Sequence, residues 1–367
     1  MYDILIVGAG PAGATLARLL GERYRVLLAD RRQLGEPHVE GRPGKTCGGL
    51  LAPAAQRELA RQGLALPGGV SAGSQLFAVR VADRASKLTQ LYQRFYLNVD
   101  REAFDRWLVS LVPALVERVW DWRLDRLECE PGATLAHFRT SCGGHASVRA
   151  RLVVGADGAA SVVRRLAFPR TPLPTRYAAI QGAFESVIPA AEYGAYFEAD
   201  LTDFYCWSIP KGGVTLIGGA FPVAGGRERY EALVERLRAD GACRGRELRR
   251  DAAMLLRPTR LGELVLARPG IALCGEAAGF VSPSSGEGIS YALRSARLLA
   301  RAAADGLDVH GRYALAAAPL AAEVLAKAAK GAVIGNGLSR RTLMRLGAGS
   351  LGLGLAEGLP LAPPLRA

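Results

Sequence analysis

Three short apolar runs mark the chain, at residues 4–7, 152–154 and 271–274, and each leads into a glycine. An unbroken apolar run of this length is typical of a strand that is covered on both faces of a sheet. A fourth run, at residues 26–29, ends at Asp30. We therefore predict buried strands that deliver glycines or acidic residues at their carboxyl ends.

Helices are predicted from apolar positions at helical spacing in residues 100–112, 228–240 and 289–300. Residues 76–97 alternate in places between apolar and polar side chains, as a half-solvated strand does. Beyond residue 311 the chain is Ala-rich and helical, and then rich in Gly and Leu. Further strands are predicted around residues 115–157, 178–184, 195–197, 205–209 and 214–219.

The order of these elements predicts an α/β protein of two interleaved domains. A Rossmann-like domain for a dinucleotide cofactor takes residues 1–75, 98–167 and 255–310. A β-sheet domain for the substrate takes residues 76–97 and 168–254, and residues 311–367 form a C-terminal helical segment and tail. A chain of 367 residues is long enough to bury the cores of two such domains.

The first strand runs into a glycine motif of the kind that binds dinucleotides, Gly8, Gly10, Pro11, Ala12 and Gly13. Gly8 permits a tight turn, Gly10 lets the backbone approach a pyrophosphate, and Gly13 lets the helix pack closely on the strand. Pro11 suits the start of the helix, whose free N–H groups and partial positive charge favour phosphate. The alternative is an ordinary glycine-rich turn.

Three acids at strand ends complete the predicted cofactor contacts: Asp30, Asp157 and Glu276. Asp30 follows the glycines by about 20 residues, where a carboxylate can accept hydrogen bonds from the ribose hydroxyls. Asp157 and Glu276 each stand beside glycines, which favours a cofactor role over that of ordinary strand-end carboxylates. The predicted contacts also include the neighbours Arg31, Gly158 and Gly275.

Gly286, Gly288 and Ile289 open the helix that follows the third acid. The amino end of this helix points backbone N–H groups at whatever lies before it. The pyrimidine edge of a flavin gains negative charge on reduction, so a helix amino end beside it would stabilise the reduced form.

Together these segments resemble the FAD-dependent oxidoreductases of the para-hydroxybenzoate hydroxylase fold, and more narrowly the geranylgeranyl reductase family. Residues 45–49 (KTCGG) resemble that family's Cys-Gly loop beside the flavin. Asp100 and Arg101, with residues 104–108, resemble its helix near the cofactor. Residues 205–211 (YCWSIPK) resemble its YxWxFP motif, which lines the substrate cavity. The resemblance covers roughly residues 1–305 and implies an FAD-binding domain with an antiparallel β-sheet substrate domain.

The resemblance also implies roles for individual residues. Cys47 and Gly48 would lie beside the flavin, Arg101 near the cofactor, and Tyr205 and Trp207 in a wall of the substrate cavity. We assign Cys47, Tyr205 and Trp207 to the catalytic site. Each has a structural alternative: Cys47 as a small buried side chain, the two aromatic residues as part of the core, and Arg101 as a surface residue.

Two positions depart from the family pattern. Glu276 stands where the family has an Asp that bonds the flavin ribityl chain, so this contact would shift or pass through water. Ile209 replaces Phe in the cavity motif, which brings the segment close to the WxWxIP motif of flavin-dependent halogenases.

The resemblance implies an FAD-dependent oxidoreductase that reduces carbon–carbon double bonds of an isoprenoid or another apolar, lipid-like substrate by hydride transfer from reduced flavin. Because no second dinucleotide domain is recognisable, we expect the electron donor, NAD(P)H or a small redox protein, to bind transiently. The alternative on the same scaffold is a flavin-dependent monooxygenase or halogenase acting on a small molecule. A third hypothesis is a non-catalytic flavin-binding redox sensor.

The formal net charge of +13 comes mostly from arginines that are scattered or paired, and no nucleic-acid-binding motif accompanies them. They reflect compositional bias or attraction to anionic substrates or membranes. A first strand at residue 3 argues against a signal peptide, and six cysteines without CxxC spacing suit a reducing cytoplasm and argue against a metal site. The Gly/Leu-rich residues 346–361 are too interrupted to span a bilayer. They could contact a membrane peripherally, cover an apolar opening or dock on their own domain.

Overall fold

A computed structural model of the chain describes residues 1–35, 46–186, 192–243 and 245–346. Lys45 of the predicted Cys-Gly loop and residues 347–361 of the predicted tail lie outside these ranges. Within the ranges, no helix combines the length and the apolar character that crossing a membrane requires. The helices are α1 (Pro11–Leu20), α2 (Pro53–Arg61), α3 (Arg101–Ser110), α4 (Val162–Ala167), α5 (Gly226–Ala239), α6 (Ile289–Ala303), α7 (His310–Gly335) and α8 (Gly337–Arg345).

The strands alternate with these helices in the first half of the chain and dominate its middle. They are β1 (Tyr2–Val7), β2 (Val26–Asp30), β3 (Leu50–Leu51), β4 (Leu76–Asp83), β5 (Leu88–Asn98), β6 (Glu117–Trp120), β7 (Arg123–Glu130), β8 (Ala133–Arg139), β9 (His145–Gly155), β10 (Thr175–Glu185), β11 (Glu192–Phe197), β12 (Cys206–Lys211), β13 (Val214–Pro222), β14 (Glu247–Arg257), β15 (Ala267–Arg268) and β16 (Ile271–Leu273).

The first compact unit comprises residues 1–42, 102–175 and 256–328. Its sheet contains five parallel strands in the order β16, β9, β1, β2 and β6, and the antiparallel strand β15 pairs with β16 at one edge. The antiparallel strand β8 pairs with the first half of β9 and with β7. Ile4, Leu5 and Ile6 of the central strand are fully buried, as their unbroken apolar run predicts. This unit has the parallel architecture of a Rossmann-like domain.

The second compact unit comprises residues 43–101, 176–255 and 329–367. Its sheet has the order β14, β10, β13, β12, β11, β4, β5 and β3, with mostly antiparallel pairing and one parallel pair, β11 with β4. One face of the sheet packs on α5 through a core that includes Phe184, Phe221 and Tyr230. The opposite face carries a second apolar cluster, which is rich in aromatic side chains.

The α/β class with an interleaved β-sheet unit and a C-terminal helical segment is confirmed. The two units divide the chain at other residues than the predicted domains do, and two of the differences follow from contacts of the second sheet. Residues 43–75 group with the second unit because β3 pairs with β5 of its sheet. Residues 329–346 join the same unit because α8 packs against β5.

A buried ion pair ties α8 to the sheet of the second unit. The Arg340 guanidinium donates to the Asp83 carboxylate at 2.8 Å, and the two side chains are only 5% and 1% exposed. Arg340 also donates to the carbonyl of Ile334 at 2.8 Å and lies 4.6 Å from the ring centroid of Phe197. Ser86 donates to the second oxygen of Asp83. Removing the arginine would therefore leave a buried carboxylate without its charge partner.

We predict that Arg340→Met lowers the free energy of unfolding by about 3–5 kcal/mol, since breaking one side of a buried pair leaves the other charge uncompensated. The neighbouring Arg341 is exposed, so Arg341→Met should change stability by less than about 0.5 kcal/mol. Urea unfolding followed by circular dichroism measures both. Equal losses in the two variants would contradict the importance of this pair.

Candidate functional site

The carboxyl ends of three parallel strands meet at one edge of the first sheet. Val7 of β1 is in register with Gly155 of β9, which is in register with Leu273 of β16. On the other side of β1, Val7 is in register with Ala29, next to the end of β2. The structure therefore brings together the glycine motif, Asp30 and the segments of Asp157 and Glu276, as expected for strand ends in a parallel sheet.

The packing of the chain itself requires glycine at only two of the three glycine positions of the motif. Gly8 has φ 104°, and a Cβ there would lie 2.5 Å from the carbonyl oxygen of Ala156. A Cβ on Gly13 would lie 1.8 Å from the carbonyl oxygen of Gly8. Gly10 has an ordinary φ of −74°, and no atom lies within 4 Å of its Cβ position in the described chain. Folding requires glycine at positions 8 and 13, whereas at position 10 glycine leaves open space beside the backbone.

Helix α1 begins at this open space, and no acidic side chain in its first turn compensates the partial positive charge of its amino end. Among the described residues, no side chain caps α1 and no acidic residue lies in its first turn. Its first residue is Pro11, which has no N–H to satisfy. The remaining N–H groups of the first turn and the partial positive charge of the helix therefore suit an anion. The open position at Gly10 and this uncapped helix together fit a pyrophosphate.

Asp30 is buried at the end of β2 and links that strand to the glycine motif. Its carboxylate accepts from the Ala9 N–H at 2.7 Å and from the Arg32 backbone and guanidinium at 2.8–3.1 Å. Burial alone would raise the pKa of Asp30, but the charge of Arg32 and these hydrogen bonds hold it below its ordinary value. Both oxygens accept two hydrogen bonds, so a ribose contact requires Arg32 to move.

The arginine that engages Asp30 is Arg32, whereas Arg31, which we predicted as a cofactor contact, is exposed. Arg32 also donates to Asp105 at 3.1 Å, and Asp105 is fully buried on α3. Burial alone would lower the pKa of Arg32, but the carboxylates of Asp30 and Asp105 outweigh this effect and raise it. Arg32 thus links the end of β2 to α3.

The Asp157 carboxylate is hydrogen-bonded to residues that follow it in the chain. Its oxygens accept from the Ser161 hydroxyl at 2.5 Å and from the backbone N–H groups of Val162 and Val163 at 2.7 and 3.2 Å. Burial raises the pKa of Asp157, although these three bonds oppose the shift. The carboxylate thus stabilises the start of α4, while Gly158 after it has φ 77° and open space at its Cβ position.

The third segment forms a short 3₁₀ turn, Gly275–Ala278, in front of α6. Glu276 is partly buried and accepts from the Leu256 N–H at 3.1 Å. A Cβ on Gly275 would lie 3.0 Å from that of Ala12, so this turn runs close to the first turn of α1. The substitution of Glu for Asp therefore gives the carboxylate a backbone partner within its own chain.

The amino end of α6, unlike that of α1, already carries a carboxylate. Glu287 accepts from both the backbone N–H and the hydroxyl of Ser290 at 2.7 Å. Gly286 has φ 65°, Gly288 is the residue before the helix, and Ile289 is its first residue. The glutamate reduces the positive potential that the sequence alone predicted here.

In the second unit, Lys211 holds the loop of Cys47 and Gly48. Its ammonium group donates to Asn98 Oδ1 at 2.5 Å and to the carbonyls of Val99 and Gly49 at 2.6 and 3.2 Å. Burial lowers its pKa to about 8, although negative charge at Cys47 and at Asp100 would oppose this shift. These contacts make Lys211, the last residue of β12, an anchor of this loop.

Cys47 is partly buried beside this anchor. Its thiol sulfur accepts from the Gly49 N–H at 3.5 Å, and its carbonyl accepts from the Gln181 side chain at 3.3 Å. Gly48 allows Ile209 to approach, since a Cβ there would lie 2.5 Å from Ile209 Cδ1. Ile209, the departure from the cavity motif, thus packs against the Cys-Gly loop.

Tyr205 and Trp207 lie on the face of the second sheet opposite α5. Their rings are 5.9 Å apart in an edge-to-face arrangement. They join three further tyrosines, and we call the set Tyr92, Tyr96, Tyr193, Tyr205 and Trp207 the aromatic cluster. Burial raises the pKa of Tyr92 to about 12 and those of Tyr193 and Tyr205 well above their ordinary value. These phenols are therefore neutral hydrogen-bonding groups at physiological pH. Arg101, the remaining predicted site residue, is buried at the start of α3 and is not a surface residue.

The fold is similar to those of several solved flavoenzyme structures. A geranylgeranyl bacteriochlorophyll reductase-like protein from Thermoplasma acidophilum has a TM-score of 0.77 and 19% identity, covering 94% of this chain and 90% of that one. PqsL, a probable FAD-dependent monooxygenase from Pseudomonas aeruginosa, has a TM-score of 0.69 and 23% identity over 94% and 98%. The myxobacterial chondrochloren halogenase CndH has a TM-score of 0.64 and 20% identity over 87% and 79%. The chain thus has the fold of FAD-dependent oxidoreductases.

Sequence similarity identifies the family. The chain is 42% identical over 300 residues to Protein CbrA of Escherichia coli O157:H7, covering 81% of this chain and 83% of that protein. The same values hold for Protein CbrA of Shigella sonnei. The chain therefore belongs to the CbrA family. No protein-family model matches it.

The lowered pKa of Lys211 predicts a pH-dependent contribution to stability. From about pH 8 to pH 10.5 the unfolded chain binds a proton at this lysine that the folded chain has lost. The free energy of unfolding of the wild type should therefore rise with pH across this interval relative to that of Lys211→Met. Urea unfolding at several pH values measures the difference, and a difference that is constant with pH would contradict the assignment.

Proposed function

We propose that the protein is an FAD-dependent oxidoreductase whose first unit binds FAD at the glycine motif. The observation that carries the proposal is the open space at Gly10 beside the uncapped amino end of α1. The backbone N–H groups of Ala12 and Gly13 would bind the pyrophosphate. Asp30 or Arg32 would contact the adenosine ribose, and Glu276 would contact the ribityl chain.

The reaction that we propose is the reduction of a carbon–carbon double bond in an isoprenoid or another apolar substrate. FAD, reduced by a transient donor such as NAD(P)H, would supply a hydride to one alkene carbon, and a proton from water or a side chain would add to the other carbon. The chain's own part is to bind the substrate, orient it and exclude water. The second unit supports this role with the aromatic cluster, whose edge-to-face rings offer an apolar wall with neutral hydroxyl groups.

A second candidate is a flavin-dependent monooxygenase or halogenase. Ile209 favours it, because the YxWxIP pattern of this chain lies between the reductase and halogenase motifs. The names of the similar structures do not separate the two, since they include a reductase-like protein, a probable monooxygenase and a halogenase. The product distinguishes the candidates by mass: a reductase adds two hydrogen atoms to its substrate, whereas a monooxygenase adds one oxygen atom.

We predict that Gly10→Val abolishes FAD binding while the protein still folds. Its side chain would occupy the space of the pyrophosphate, and the chain places no atom within 4 Å of its Cβ. Flavin absorbance of the purified variant and its circular dichroism spectrum measure the two effects.

Two variants control this experiment. Gly68→Val alters an equally open position in the second unit and should retain flavin. Gly13→Val places a side chain against the Gly8 carbonyl and should prevent folding. Stoichiometric flavin in Gly10→Val would contradict the cofactor assignment.

We predict that Trp207→Ala reduces turnover by about tenfold or more while flavin content stays at the wild-type level, because truncation removes part of the substrate wall. Turnover is followed anaerobically, with chemically reduced enzyme and unsaturated isoprenoids as substrates, by mass spectrometry of the product. Loss of flavin together with loss of the folded state would instead show that Trp207 is a core residue.

A further inference from the structure

We propose that the aromatic cluster recognises a neutral polar group of the substrate, such as a hydroxyl, between the Trp207 indole N–H and the side-chain oxygen of Gln181. The inference rests on the proposed function, from which it takes the apolar nature of the rest of the substrate. It concerns only the second unit, to which both residues belong.

Both atoms are buried without a hydrogen-bond partner. Gln181 is 3% exposed, and its side-chain nitrogen donates to the Cys47 carbonyl, which turns its oxygen Oε1 away from that carbonyl. Within the described part of the second unit, Gln181 Oε1 and Trp207 Nε1 are the two buried side-chain polar atoms without a partner, apart from Nε atoms of arginines. Buried polar groups are nearly always paired, so two such atoms together indicate a missing partner.

The sheet register places these two atoms on the same face. Gln181 of β10 and Trp207 of β12 are both directly opposite Gly218 of β13, and directly opposite residues share a face. Their Cα atoms are two strand spacings apart, roughly 10 Å. Two long side chains that reach towards each other from both sides can span this distance. A Cβ at Gly218 would lie 2.6 Å from Gln181 Cβ, so the glycine makes room for the Gln181 side chain.

Three other polar side chains of the unit, those of Tyr193, Tyr205 and Asn98, are already paired with the chain. Tyr193 and Tyr205 hydrogen-bond to each other through their side chains. The Asn98 amide donates to the carbonyls of Pro210 and Ser74 at 2.7 and 3.2 Å. The pair of Gln181 and Trp207 therefore differs from its surroundings, which argues against ordinary core packing.

The chemistry of the pair defines the ligand class. One atom only accepts and the other only donates, and a hydroxyl or an amide satisfies both at once. The nearby Lys211 ammonium is engaged with three oxygens of the chain. The Arg94 guanidinium lies 5.5 Å from the ring centroid of Tyr96. Both residues belong to β5, which is three strands away from the Trp207 strand, β12. A neutral polar group fits this place better than a phosphate.

The test compares hydroxylated ligands with matching hydrocarbons, using the flavin-loaded full chain and titration calorimetry. The probe pairs are farnesol with farnesene, and 2-naphthol with naphthalene. We expect the alcohol to bind about tenfold more tightly than its hydrocarbon in at least one pair. Trp207→Phe and Gln181→Leu should each remove most of this difference in affinity between the alcohol and its hydrocarbon. Trp122→Phe, in the first unit, is the control and should preserve it.

Equal affinities within both pairs, no binding of either alcohol, or a difference that survives both substitutions would overturn the proposal. So would tighter binding of farnesyl phosphate than of farnesol. A difference confined to the naphthol pair would support the polar pair and reject the isoprenoid substrate of the proposed function. Flavin content, measured on the same samples, separates failure of this inference from failure of the cofactor assignment.

Discussion

The first unit depends on the close approach of α1 to the carboxyl ends of β1 and β9. Gly8 and Gly13 permit it, because a Cβ at either position would collide with a carbonyl oxygen of the chain. This approach fixes the amino end of α1 over the sheet edge where β2, β9 and β16 also end. Every candidate cofactor contact in this unit is positioned by that edge, so a larger residue at position 8 or 13 would displace them all.

The helix amino ends of the first unit differ in charge compensation. Asp157 and Ser161 cap α4, and Glu287 caps α6, whereas α1 has no such group among the described residues. A protein gains stability by capping its helices. An uncapped end beside open space is best explained by an anion that completes it. The same reasoning applies to Gln181 and Trp207 in the second unit, where two buried atoms lack partners that a ligand can provide.

The sequence was sufficient for features whose signal is local. The apolar runs predicted the buried strands, and the spacing of Gly8, Gly10 and Gly13 predicted the strand–turn–helix unit. The α/β fold class is confirmed. Features that depend on contacts distant in sequence were not predictable: Arg32 also forms an ion pair with Asp105 of α3. Lys211 binds oxygens of residues 49, 98 and 99. The capping role of Asp157 had a local signal, the hydroxyl of Ser161 four residues later, which a search for helix caps would have found.

The most direct test is the flavin content of the protein purified in its native state. Extraction, chromatographic identification and quantification against protein concentration give the number and kind of flavins per chain. The structure predicts one FAD per chain, because one uncapped helix end with one open glycine position lies at the sheet edge of the first unit. A protein that carries no flavin and takes up none when FAD is added would contradict the assignment of the glycine motif and the oxidoreductase function built on it.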